Sequence, residues 1–168
     1  MSIKGQIKDN ISYNGNIKVT INDRGHKSEL KFHNSGTKLL FDTITKALAG
    51  YSIEGETPQY IDIKYSQDNV TFTSALYSPV IITGKIFGDP AGAGRNTDFG
   101  IVQMNAEIDH SVKIDGIEAE YWQLQLLNSS TGILAIVDNS NDVKEIYNAI
   151  TGNHEVIIEW ALQFSNPT

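Results

Sequence analysis

Residues 16–33 read Asn16-Ile17-Lys18-Val19-Thr20-Ile21-Asn22-Asp23-Arg24-Gly25-His26-Lys27-Ser28-Glu29-Leu30-Lys31-Phe32-His33. Ile17, Val19 and Ile21 alternate with Lys18, Thr20 and Asn22. Successive side chains of an extended chain point to opposite faces, so a period of two puts the aliphatic residues on one face. Asp23-Arg24-Gly25-His26 has the composition of a turn. Leu30 and Phe32 resume the alternation beyond it. The stretch predicts a β-hairpin with one buried face. Upstream, Ile3 to Ile11 is expected to add a weak first strand.

Downstream the period changes. Leu40, Ile44, Ala47 and Leu48 fall at helical spacing with Phe41 beside them, which predicts a helix over about 36–49. Asn34, Ser35 and Thr37 are capping candidates, and Gly50 stands where a helix-ending glycine belongs. This apolar stripe is expected to lie against a sheet. Strand patterns return at Tyr60–Tyr65, Val70–Thr73 and Pro79–Phe87. Residues 88–97, rich in glycine, read as a loop. A long alternating run follows over Phe99–Ile114, then Glu118–Leu127 with Trp122, then Leu134–Val137. Val143, Ile146, Tyr147 and Ile150 share one face of a short helix over about 142–150. In the closing strand Val156, Ile158, Trp160, Leu162 and Phe164 share one face.

Many strands with polar turns predict a mainly β fold, a β-sandwich or jelly-roll-like barrel with one packed helix and a short second one. The 168 residues are expected to form a single domain. An N-terminal arm (1–14) and the 88–97 loop are the candidate inter-subunit contacts.

Charge and composition narrow the function. With 13 Lys+Arg against 20 Asp+Glu the chain is acidic, at −7, and its basic residues are scattered. Such a surface disfavours nucleic acid and anionic membrane as partners. There is no cysteine, so disulfides, thiol catalysis and cysteine-held zinc are excluded. The start, Met1-Ser2-Ile3-Lys4-Gly5-Gln6, lacks the apolar stretch of a secretory leader. We therefore expect a chain made in the cytoplasm that stays there or leaves by lysis.

The motif search predicts no catalytic residue, cofactor or metal. Gly88 to Arg95 lacks the Lys and hydroxyl residue of a phosphate loop, and a strand follows where a helix is needed. Asp138, Ser140 and Asp142 have calcium-loop spacing, but Val143 replaces the required glycine and Ala149 the bidentate glutamate. Ser140 or Asn141 reads instead as a helix cap. His26, His33, His110 and His154 form no metal-type pair. Glu107 with Asp109, and Glu118 with Glu120, fall on one strand face as a glycosidase pair would, though that is also the pattern of a solvated strand. Trp122, Trp160, Tyr121, Tyr60 and Tyr65 could form a sugar-stacking platform, but Trp160 lies between Ile158 and Leu162, which favours the core. Tyr121 and Tyr147 are expected to be the more exposed.

Two segments carry a resemblance. One is Phe32-His33-Asn34-Ser35-Gly36-Thr37-Lys38-Leu39-Leu40-Phe41, running on to Lys46-Ala47-Leu48-Ala49-Gly50. The other is the ending His154-Glu155-Val156-Ile157-Ile158-Glu159-Trp160-Ala161-Leu162-Gln163-Phe164-Ser165-Asn166. This layout resembles uncharacterised virion structural proteins of tailed bacteriophages. The resemblance implies a non-enzymatic, multi-copy component of the tail, baseplate or capsid exterior. Its partners would be further copies of itself and other virion proteins. It transfers no functional residue. The alternative expectation is a carbohydrate-binding β-sandwich that recognises a host surface glycan.

Overall fold

The structure is a computed structural model and describes residues 12–87, 99–150, 152 and 154–165. The first strand expected over 3–11, most of the 1–14 arm and the 88–97 loop lie outside the described residues.

The hairpin forms as its alternation predicts. β1 (Ser12–Asp23) and β2 (His26–Gly36) run antiparallel, with Ile17 opposite Phe32 and Val19 opposite Leu30. Arg24 (φ 52°) and Gly25 (φ 94°) both take left-handed backbone. That is the mirror-image turn whose twist matches flanking strands. The Asn22 side-chain oxygen accepts from the Gly25 amide at 2.9 Å and holds the turn.

The remaining elements are α1 (Lys38–Leu48), β3 (Pro58–Ser66), β4 (Thr73–Ser74), β5 (Val80–Ile81), β6 (Gly84–Phe87), β7 (Phe99–Ile108), β8 (Tyr121–Asn128), β9 (Ile133–Val137), α2 (Ser140–Ala149) and β10 (His154–Ser165). Ten strands make one sheet, ordered β4-β3-β8-β9-β2-β1-β10-β7-β6, with β5 beside β3. β2 is the joint. Its residues up to Asn34 pair with β1, while Ser35 and Gly36 pair with Ile136 and Ala135 of β9. A strand that changes partner along its length bends the sheet, and here the sheet curls. Both halves feed one core, Ile17, Val19, Met104 and Trp160 from one and Ile61, Ile63, Leu124 and Leu126 from the other. The described residues are thus mainly β, a curled antiparallel sheet with two helices.

Several boundaries differ from expectation. Val70 is exposed, and only Thr73 and Ser74 pair with β3. The run Pro79–Phe87 is two short strands. The chain crosses the sheet at Ile82 and Thr83, whose amides donate to Gln59 and Asn105 carbonyls on different strands. The long run from Phe99 ends at Ile108, because Asp109 caps a 3-10 turn at His110–Val112 by accepting from the Ser111 amide. Residues 118–120 precede β8 and lie outside it. Helix α1 starts two residues late because Gly36 still belongs to β2.

Local chemistry fixes both helices. Thr37 caps α1, and its hydroxyl donates to the Ile133 carbonyl at 2.6 Å, which ties the helix start to β9. At the other end Gly50 (φ 84°) turns the chain, and the Tyr51 amide donates to the Lys46 carbonyl at 3.0 Å. This pairing satisfies a carbonyl that the helix end leaves open. The cap of α2 is Asn139, whose side chain accepts from the Asp142 amide. Ser140, one of the expected caps, accepts instead from the Trp122 amide at 3.1 Å.

Candidate assembly surface

Helix α1 carries more apolar surface than the fold covers. Leu40 is buried and Ile44 is half-buried, but Ala47 is exposed and Leu48 is 81% exposed. Phe41 beside them is 43% exposed. The expectation that the whole stripe lies against the sheet is therefore corrected. The helix contacts β9 through its first turns and then overhangs. Thr37 pins its start on the carbonyls of β9, and Lys46 in its last turn pairs with Glu56.

Beneath the overhang lies a cleft of about 240 Å³. Ile44, Ala47 and Leu48 form one wall, Ile53 and Pro58 another, and Val102, Leu162 and Phe164 the sheet side. Two of its polar side chains are already engaged. The Thr43 hydroxyl donates to the Leu39 carbonyl at 2.8 Å. The Glu56 carboxylate is held by Lys46 at 2.7 Å. A guest would find aliphatic contacts and few hydrogen-bond partners. The volume falls below the roughly 300–1,000 Å³ of small-molecule sites. The cleft suits apolar side chains presented by another chain segment.

Tyr13 closes one edge. Its ring meets Phe41 at 5.7 Å, edge to face, and Phe164 at 5.4 Å. Burial pushes its phenol pKa well up, so the hydroxyl stays neutral and donates to the Asn34 side chain.

The polar hollows are of another kind. The outer face of β2-β1-β10-β7 holds a basin of about 440 Å³ lined by Asn16, Lys18, Lys31, His33, Gln103, Glu159 and Ala161. Lys18 sits 3.4 Å from Glu29 and 3.5 Å from Glu159, and these two carboxylates raise its pKa. The basin has amides and charges, but its outward side chains include no tyrosine or tryptophan to stack a sugar ring. Trp122 and Trp160 are fully buried, and Tyr65 packs against Trp122. Tyr60 and Tyr121 are half-buried on the other half of the sheet. Tyr147, expected to be exposed, is buried. It stacks 4.7 Å from Trp122, and its hydroxyl donates to the Ile114 carbonyl and accepts from the Ile117 amide. Burial of both tryptophans agrees with the core reading that the sequence favours for Trp160.

Glu107, Asp109, Glu118 and Glu120 are all exposed, in keeping with the solvated pattern. Glu107 shares a hydrogen bond with Glu155 on the neighbouring strand, and that second carboxylate raises its pKa. Asp109 is spent on its turn. His110 lies 3.0 Å from Asp109, and His154 lies 3.0 Å from Asp23. Glu107 and Glu155 are exposed to water, which leaves neither in the dry pocket that a general acid needs. Asp62 has a carboxyl pKa raised by burial, yet it is 2% exposed and accepts from the Ser74 hydroxyl, out of a substrate's reach. Among the described residues no three His, Cys, Asp or Glu side chains gather to hold a metal. Asp142 is engaged with Asn139 at the α2 cap. No helix among the described residues is long and apolar enough to cross a membrane.

The apolar stripe was legible in the sequence, but its excess over the available sheet was not. No family model matches the chain, and neither a curated protein nor a solved structure is significantly similar to it.

Proposed function

We propose that the chain is a non-enzymatic, multi-copy structural protein of a tailed-phage particle that assembles through the cleft beneath α1. The observation that carries this reading is the uncovered helix end, with Leu48 and Phe41 presented to water beside an apolar cleft. Uncovered apolar surface next to a hollow costs free energy unless a partner removes it from water. One sheet edge argues for the same route. β4, which ends the strand order on one side, has two residues. Short edges resist addition of a foreign strand, so side-chain docking is the better means of joining copies. The resemblance of the Phe32–Gly50 and His154–Asn166 segments to virion proteins supplies the biological setting.

The native mass of the purified chain, measured by light scattering across a concentration series, tests this. A discrete multimer that dissociates on dilution is expected. A strict monomer at every concentration, alone and with co-expressed particle proteins, would contradict it.

A further inference from the structure

We propose that Asp62 is a proton-operated latch: as the neutral acid it donates to Ser74 and holds β4 over the edge of β3, and loss of that proton loosens the hold. The latch works apart from the cleft beneath α1. β3 pairs with β8 along one side. Its other side is covered in two short pieces, by β5 at Tyr60 and Ile61 and by β4 at Lys64 and Tyr65. Asp62 lies between these covers. A strand edge left bare is a template for foreign strands, so what holds β4 in place also keeps β3 closed. With two paired residues, β4 depends on what its side chains add.

The hydrogen bonds at Ser74 are short of a proton when Asp62 is ionised. A serine hydroxyl has a single proton to give. Two acceptors stand within its reach, the Asp62 carboxyl at 2.8 Å and the Leu76 carbonyl at 2.9 Å. The Leu76 amide in turn donates to the Ser74 oxygen at 3.2 Å. An ionised Asp62 leaves one of the two acceptors unmet. A neutral Asp62 donates its own proton to Ser74, and the Ser74 proton goes to the Leu76 carbonyl, so both bonds form. The surroundings favour the same state. Gln125 of β8 stands in register with Asp62, but its amide nitrogen donates to Gln123 and its buried oxygen has no partner. It offers a carboxylate no donor. Tyr60, Lys64 and Tyr121 are the titratable groups on the same face of β3 and β8. Burial, with 2% of the residue exposed, raises the Asp62 pKa by more than the Ser74 hydroxyl and Lys64 lower it. The fold therefore holds this proton more tightly than the unfolded chain does. Its contribution to stability is full in acid and falls as pH rises through the raised pKa, the reverse of a salt-bridged aspartate.

Asp62→Asn keeps the shape and supplies a permanent N–H donor for Ser74, so it fixes the latched state. Hydrogen exchange at the Ala75 and Leu76 amides, which bond to the Ile63 carbonyl and the Ser74 oxygen, reads the hold on β4. In acid the parent and the variant should exchange alike. Above the titration of Asp62 the parent should exchange about tenfold faster than the variant, the bias that one unit of pKa shift carries, and its urea midpoint should fall behind. Equal exchange and parallel midpoints at every pH overturn the latch. A gap that opens on acidification overturns it too, by making the ionised carboxylate the holding form. If Asp62→Asn does not fold, the parent alone decides. Its amide NMR signals at residues 73–76 are followed with pH. A common midpoint above the ordinary aspartate range supports the latch, and a midpoint within or below that range, or no response, overturns it.

Discussion

Trp160→Ala should destabilise the fold by about 3–5 kcal/mol, the usual cost of truncating a buried tryptophan. Trp160 is wholly buried at the middle of β10. It stands in register with Ile17 of β1 and Met104 of β7, so its ring covers the inner face of three strands. Nothing nearby can fill the space, because strand pairing fixes the backbones on both sides. For a domain of this size the loss corresponds to roughly 6–20 °C in Tm. Against a total stability of about 5–15 kcal/mol, it is enough to unfold a marginal chain. Trp160→Phe separates volume from hydrogen bonding. The indole Nε1 has no hydrogen-bond partner among the described residues, so phenylalanine gives up no bond there. It should cost markedly less than alanine. Urea midpoints of the two variants and the parent decide this. An alanine variant with the parent's midpoint would mean that the core is not where the structure places it.

Leu48→Lys should leave stability within about 0.5 kcal/mol of the parent and weaken self-association at least tenfold. The first half follows from exposure. Leu48 is 81% exposed in the last turn of α1, where lysine has good helix propensity and its charge suits the helix end. The second half follows from what a partner must do. Covering one leucine contributes about 1.5–3 kcal/mol, and a lysine there would instead have its charge stripped of water. Native mass against concentration reads the association, and thermal melting reads the fold. A variant that associates as tightly as the parent would remove α1 from the interface.

The two variants mark what the sequence discloses and what it hides. The hairpin, the closing strand and both helices were legible because period and turn chemistry are local. Ile17, Val19 and Ile21 declare their face without reference to any other strand. Partner choice is not local. Nothing in Ser35 or Gly36 says that β2 leaves β1 for β9 there, and this switch curls the sheet. Likewise nothing in Pro79–Phe87 says that the chain crosses from β3 to β7 halfway. Tyr147 looked free because a tyrosine carries a polar tip. Its hydroxyl is consumed by the backbone of residues 114–117, which is far away in sequence. The candidate surface was half legible. The stripe of Leu40, Ile44, Ala47 and Leu48 announced an apolar face, but how much of it finds a sheet depends on how far α1 projects beyond β9.

Hydrogen exchange of the concentrated protein against the dilute protein tests the central claim most directly, since it reports which backbone amides an assembly contact protects. Added protection is predicted at residues 44–57, the free end of α1 and the segment facing it, with the amides of 27–33 on the outer sheet unchanged. Protection that appears on the outer sheet and leaves 44–57 untouched would contradict the assignment of the assembly surface to the cleft.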